Sequence, residues 1–172
     1  FISEAGLASL EEGGRVYRDT VLSCAEVTHD QENKTVTIDY GDGCVIRGGR
    51  LLSGKIIIVY SDRKLIPGAF RVATFENFSI DEVQVEGTRT WSNISTSIED
   101  NPTFNVTLEG GKLSFPDETS ATRDADHTKE WFRAENPLSD EFHVDGSAEG
   151  STREDIRYEV EILETLVYKR VC

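Results

Sequence analysis

The stretch from Cys24 to Val59 limits the possible folds more than any other part of the chain. It holds two cysteines, the alternating segment T-V-T-I-D-Y, the turn Gly41-Asp42-Gly43 and then the apolar run K-I-I-I-V. Val36, Ile38 and Tyr40 share one parity, while Thr35, Thr37 and Asp39 share the other. A period of two is the signature of a strand with one buried face. Residues 56–60 are apolar on both parities, as in a central strand. Cys24 and Cys44 flank this arm and read as a disulfide that pins an antiparallel pair. Closing a loop of that size is worth roughly 3 kcal/mol in the chain-entropy model. Such a bridge belongs to an oxidising compartment outside the cytoplasm. Spacing alone leaves a rival open, namely free or buried thiols in a cytosolic protein, because Cys172 makes the cysteine count odd. No C-x-x-C spacing supports a zinc site.

The period of two continues beyond this arm. Phe70, Val72, Phe78 and Ile80 share a parity, Asp81-Glu82 reads as a tight turn, and Val83, Val85, Gly87, Arg89 and Trp91 follow. Phe104, Val106 and Leu108 form the next run, which Gly110-Gly111 turns into Leu113 and Phe115. Residues 116–129 are poor in apolar side chains and read as a long loop or a weak, exposed strand. Trp131-Phe132 returns the chain to the core. Phe142 to Ala148 alternates, and a last strand carries Tyr158, Val160 and Ile162 and extends to Leu166 and Tyr168. The expected fold is all-β, an antiparallel meander of about nine or ten strands forming a sandwich or a curled half-barrel sheet. Residues 16–172 read as a single domain cut short at its C-terminus. Residues 1–15 read as a tether or a short helix stopped by Gly13-Gly14. An internal echo suggests a duplicated four-strand unit: Gly48-Gly49-Arg50-Leu51 recurs as Gly110-Gly111-Lys112-Leu113, and Val85-Glu86-Gly87-Thr88 as Val144-Asp145-Gly146-Ser147. Common hairpin chemistry is the competing explanation.

A formal charge of −14 sets the chain against nucleic acid phosphates and anionic lipid headgroups. No apolar run reaches the roughly 18 residues of a membrane-spanning helix. The sequence has no Met and opens on Phe1, so the natural product is expected to begin upstream.

Chemical motifs are sparse. There is no G-x-S-x-G, H-E-x-x-H, P-loop or G-x-G-x-x-G. Asp39 and Asp42 beside a tight turn could offer oxygen ligands to Ca²⁺, but two side chains fall short of the six that Ca²⁺ takes, and an Asx-type turn bond from Asp42 is the plainer reading. Asp124, Asp126 and His127 read as solvated loop charges. Trp91, Trp131 and Tyr60 could stack on sugar rings if exposed, although large strand aromatics are usually core. A carboxylate pair for glycoside hydrolysis is a third hypothesis, since acids are abundant. Asn33, Asn77, Asn93 and Asn105 each open an N-x-[ST] triplet, which strands rich in Thr and Ser produce freely. Asp19-Thr20-Val21 resembles the short motif that Bacteroidota O-glycosylate, with Thr20 as the acceptor.

The blocks T-V-T-I-D-Y-G-D-G-C, S-G-K-I-I-I-V-Y, T-F-E-N-F, V-E-G-T-R-T and N-P-T-F-N-V-T together resemble a family of uncharacterised Bacteroidota cell-surface lipoproteins over about residues 20–172. The resemblance implies a cell-envelope protein held to the outer membrane only through a lipid upstream of Phe1, with a further cysteine downstream to partner Cys172. The expected role is that of a non-enzymatic binding or structural accessory with a protein partner in the envelope. A carbohydrate-binding or adhesin module is the alternative.

Overall fold

A computed structural model describes residues 22, 24–46 and 48–169. The expected N-terminal helix or tether, Thr20 and Cys172 lie outside these. Eleven strands form one antiparallel sheet: β1 (Glu26–Asp30), β2 (Thr35–Asp39), β3 (Cys44–Val45), β4 (Leu51–Tyr60), β5 (Phe70–Ile80), β6 (Val83–Asn93), β7 (Thr103–Ser114), β8 (Ser120–Phe132), β9 (Glu141–Ser151), β10 (Arg157–Glu161) and β11 (Leu166–Lys169). The order follows the chain from β1 to β10, with β3 beside β4 and with β10 and β11 both pairing β9. The fold is all-β, the sheet does not close into a barrel, and among the described residues no second sheet packs on it. A short 3-10 helix, Pro137–Ser139, interrupts the meander and is capped by the Asn136 side chain.

Directly paired residues in antiparallel strands share a face. Following the ladders assigns each strand residue to one of two faces. Ile38, Ile56, Ile58, Ala73, Phe104, Val106 and Ala148 fall on one of them, and all are at most 6% exposed. Every buried strand residue lies on this inner face. One layer buries side chains so deeply only where it curls round them or where connections cover them. Near the disulfide, connections supply such cover. Tyr40, Cys44, Leu52 and Phe78 close one core cluster, with Leu22, Ala25 and Ile46 packed on it. Burial pushes the Tyr40 phenol up to about 12, because ionising it would place a charge among these side chains.

Four departures from the sequence reading have local causes. Phe70 and Val72 share the outer face, whereas Phe78 and Ile80 lie inside, because Asn77 takes a left-handed conformation where the β4–β5 register shifts. Gly110-Gly111 is no turn. It forms a bulge within the unbroken β7, where the register with β8 slips between Leu108 and Gly111. The stretch read as a long loop or a weak, exposed strand is a strand, β8, the longest described and held by β7 and β9 on its two sides. Pairing with two neighbours overrode its polar composition. The last strand is two, broken between β10 and β11. By contrast, Asp81-Glu82 is the two-residue turn expected, with φ positive at both residues.

The echo holds in one half only. Gly87 and Gly146 occupy equivalent settings in mid-strand, at φ +122° and +135°, each pressed against the neighbouring backbone. Gly48-Gly49 lies in an exposed turn and Gly110-Gly111 in a bulge, so that pair shares sequence and not structure.

Candidate binding face

The same ladders sort the charges. The inner face carries His29, Arg71, Arg89, Arg123, His127 and Lys129. Among the described residues, no strand Asp or Glu falls on it. The outer face carries Asp39, Glu76, Asp124, Asp126, Glu130, Asp145, Glu149, Glu159 and Glu161, together with Thr35, Thr37, Thr74, Thr88, Thr90, Thr107 and Thr128. In a chain of net charge −14 the described strand carboxylates thus all lie on one side, while the basic strand residues divide six to five between the inner and outer faces. Lys55, Lys112, His143, Arg157 and Lys169 are the basic exceptions on the acidic side. Of these, Lys55, Lys112 and Lys169 pair with Asp39, Glu86 and Glu141.

Aromatic side chains accompany the inner cations. Trp91 stacks on Phe104 with ring centroids 3.9 Å apart and planes at 23°. The Nζ of Lys64 lies over the rings of Trp91, Phe104 and Trp131, at 5.1, 5.7 and 5.8 Å from their centroids. Two buried polar residues set this arrangement. Asn93 donates its Nδ2 to the Lys64 carbonyl and accepts from the Ser95 amide, which fixes the connection that carries Lys64. Asp140 accepts from Trp131 Nε1 and from the Ala134 amide, which fixes the indole. Each is 2% exposed. Such burial is tolerable because their polar atoms are bonded.

Beside this cluster lies a pocket of about 210 Å³. Arg89, His127 and Lys129 contribute nitrogen donors, and Val106, Val144, Ile162 and Leu166 contribute aliphatic wall. Lys129 also lies over the Phe142 ring, 4.7 Å from its centroid. Further along the face, burial pulls the Arg71 guanidinium below the usual arginine range.

The residues singled out from sequence fare differently. Cys24 and Cys44 form a disulfide, with Cα atoms 5.7 Å apart. Asp39, rather than Asp42, makes the Asx-type bond, accepting from the Gly41 amide, and its second oxygen meets Lys55 Nζ at 2.9 Å. The lysine beside it, and then the amide, hold the Asp39 carboxyl below the ordinary carboxylate range. No group of three His, Cys, Asp or Glu side chains placed to hold a metal occurs among the described residues. Trp91, Trp131 and Tyr60 share the inner face and are half-buried. The Tyr60 hydroxyl and His29 Nε2 are 2.7 Å apart. Asp124 and Asp126 are strand residues on the outer face, bonded to the Gly110 amide and to Asn105 Nδ2, and His127 points the other way. Of the N-x-[ST] asparagines, Asn93 is buried and serves the inner cluster.

The inner cations were not recognised from sequence, although a signal was present. In S-A-T-R-D-A-D-H-T-K-E-W-F the basic and aromatic residues Arg123, His127, Lys129 and Trp131 hold one parity. Asp124, Asp126 and Glu130 hold the other. Alternation of charge sign marks a strand as alternation of hydropathy does.

No family model, no curated protein and no solved structure matches this chain.

Proposed function

We propose that the protein is a non-enzymatic accessory of a bacterial cell envelope, held at the outer membrane by a lipid upstream of Phe1, that binds through the inner face of its sheet. The face's aromatic cluster, set among cations with no strand carboxylate among the described residues, carries the reading. Arg89, His127 and Lys129 line one pocket on the inner face of an otherwise acidic protein, a surface that suits an anionic partner. The Cys24–Cys44 bridge supports an oxidising location. The resemblance of the sequence blocks supplies the lipid anchor and the expectation of an envelope partner. Purification from native membranes with intact-mass analysis tests this. Acyl chains, an oxidised Cys24–Cys44 pair and a co-purifying envelope protein are expected. Recovery as a free cytosolic protein with reduced cysteines would overturn it.

A carbohydrate-binding module is the second reading, favoured by Trp91, Trp131 and Tyr60 sharing one half-exposed face. Lys64 already spans two of these rings, and His29 meets the third side chain. Sugar binding that is lost in Trp91→Ala would favour this reading over the first. The third reading, a hydrolase with a carboxylate pair, would draw its acids from outside the inner strand face, which carries no strand Asp or Glu among the described residues.

A further inference from the structure

We infer that the protein forms a two-fold dimer by pairing the open edge of β10 with the same edge of a second copy. The sheet path ends at β10, which pairs only β9 among the described strands. Two backbone bonds fix which groups face outward. The Thr152 amide donates to the Ile156 carbonyl, and the Ile162 amide donates to the Gly146 carbonyl. Even-numbered residues therefore bond towards β9. Alternation then turns the amides and carbonyls of Arg157, Glu159 and Glu161 to the open edge. Strand backbone presented in this way takes another strand as its partner. The side chains are open to solvent too, with Ile156 63% and Val160 51% exposed.

The edge is complementary to itself. Antiparallel pairing centred on Tyr158 sets Arg157 opposite Glu159 twice on the outer face and Ile156 opposite Val160 twice on the inner face. Opposite charges and paired apolar side chains both stabilise a ladder. Tyr158 meets its copy on the axis. Its hydroxyl donates to the Thr122 carbonyl on β8, which draws the ring back over its own sheet. Centring on Glu159 or on Val160 would instead put glutamate opposite glutamate. In the favoured register Asp155 faces Glu161 at the ladder ends, where Asp155 has already left the strand at φ +58°. The other edge of the sheet, β1, carries Glu26, Thr28 and Asp30 on its outer face and no base there, so it lacks this match. Each copy uses the same patch, so the association closes at two. The axis stands perpendicular to the sheet, and the two inner faces join into one surface. The strand has only five residues, which places the dimer among small, transient interfaces, with a Kd between about 1 μM and about 1 mM.

Sedimentation velocity of the oxidised protein tests this, with Cys172→Ser in every sample so that no intermolecular disulfide contributes. The dimer fraction should rise between about 1 μM and about 1 mM. Arg157→Glu alone and Glu159→Arg alone should each weaken dimerisation by about tenfold or more, because each sets like charges opposite at both symmetric contacts. An equimolar mixture of the two variants should recover the parent affinity, since arginine again faces glutamate at both contacts. Both side chains are exposed, so each variant should keep the parent's urea midpoint. A protein that is still monomeric at about 1 mM overturns the inference. So does a dimer that the single variants leave unchanged, or a mixture that recovers nothing.

Discussion

A Cβ added to Gly146 would stand 2.2 Å from the carbonyl oxygen of Asp126 on the neighbouring strand. The glycine also sits at φ +135°, which side chains rarely adopt. Gly146→Ala must therefore move backbone as well as strain it, at a cost of about 3 kcal/mol or more. Gly41 gives the contrast: its φ is +59°, yet nothing lies within 4 Å of an added Cβ. Gly41→Ala should cost only about 1 kcal/mol. Urea denaturation of both variants checks the difference, and equal losses would show that β8 and β9 do not approach so closely.

The disulfide joins two places that would otherwise fray. Cys44 belongs to the core cluster, and Cys24 holds Leu22 and Ala25 against it. Replacing both cysteines by serine should lower stability by roughly 3 kcal/mol. The loss should appear as a lower urea midpoint with the slope little changed. A double variant as stable as the parent contradicts this.

Acid should weaken the fold through its paired carboxylates. Asp81 accepts from the Leu51 amide and pairs with Arg50, and Asp39 pairs with Lys55, so both carboxyls lie below the usual value of 3.8. The folded state therefore holds their protons less tightly than the unfolded state does. The stability they confer is present above about pH 4 and is lost as pH falls through the lowered values. Both groups are exposed, so the effect is modest and screened by salt. Urea midpoints at about pH 6 and about pH 3 should differ less for Asp39→Asn, Asp81→Asn than for the parent. An unchanged acid slope would remove these two groups from the account.

Lys64 shields the two indoles. Its removal in Lys64→Ala should raise quenching of tryptophan fluorescence by neutral acrylamide. The stability cost should be about 0.5–2 kcal/mol, the range of a cation–aromatic contact. Unchanged quenching would mean that the ammonium does not cover Trp91 and Trp131.

Much of the architecture was legible because sheets announce themselves by parity. Val36, Ile38 and Tyr40 could be placed on one buried face from spacing alone, and the Asp81-Glu82 turn from its position between two runs. Parity failed wherever one residue was inserted. Asn77 reversed the faces of Phe70 and Phe78, and no rule of composition marks an asparagine that will turn left-handed in mid-strand. β8 reads ambiguously, as a loop or a weak strand, because its inward residues before Trp131 are Ala, Arg, His and Lys, which give no apolar alternation. The charge-sorted face went unseen for a related reason. It is assembled from one basic residue on each of β1, β5 and β6 and three on β8, and only the register brings them together.

The central claim is that one layer of sheet carries opposite charge on its two sides, and soluble paramagnetic probes test it most directly. An anionic probe should broaden the inner methyl signals of Val144, Val160 and Leu166 more than a cationic probe does, and the preference should reverse for Thr107 and Thr128 on the outer face. Equal broadening of both sets by both probes would contradict the account.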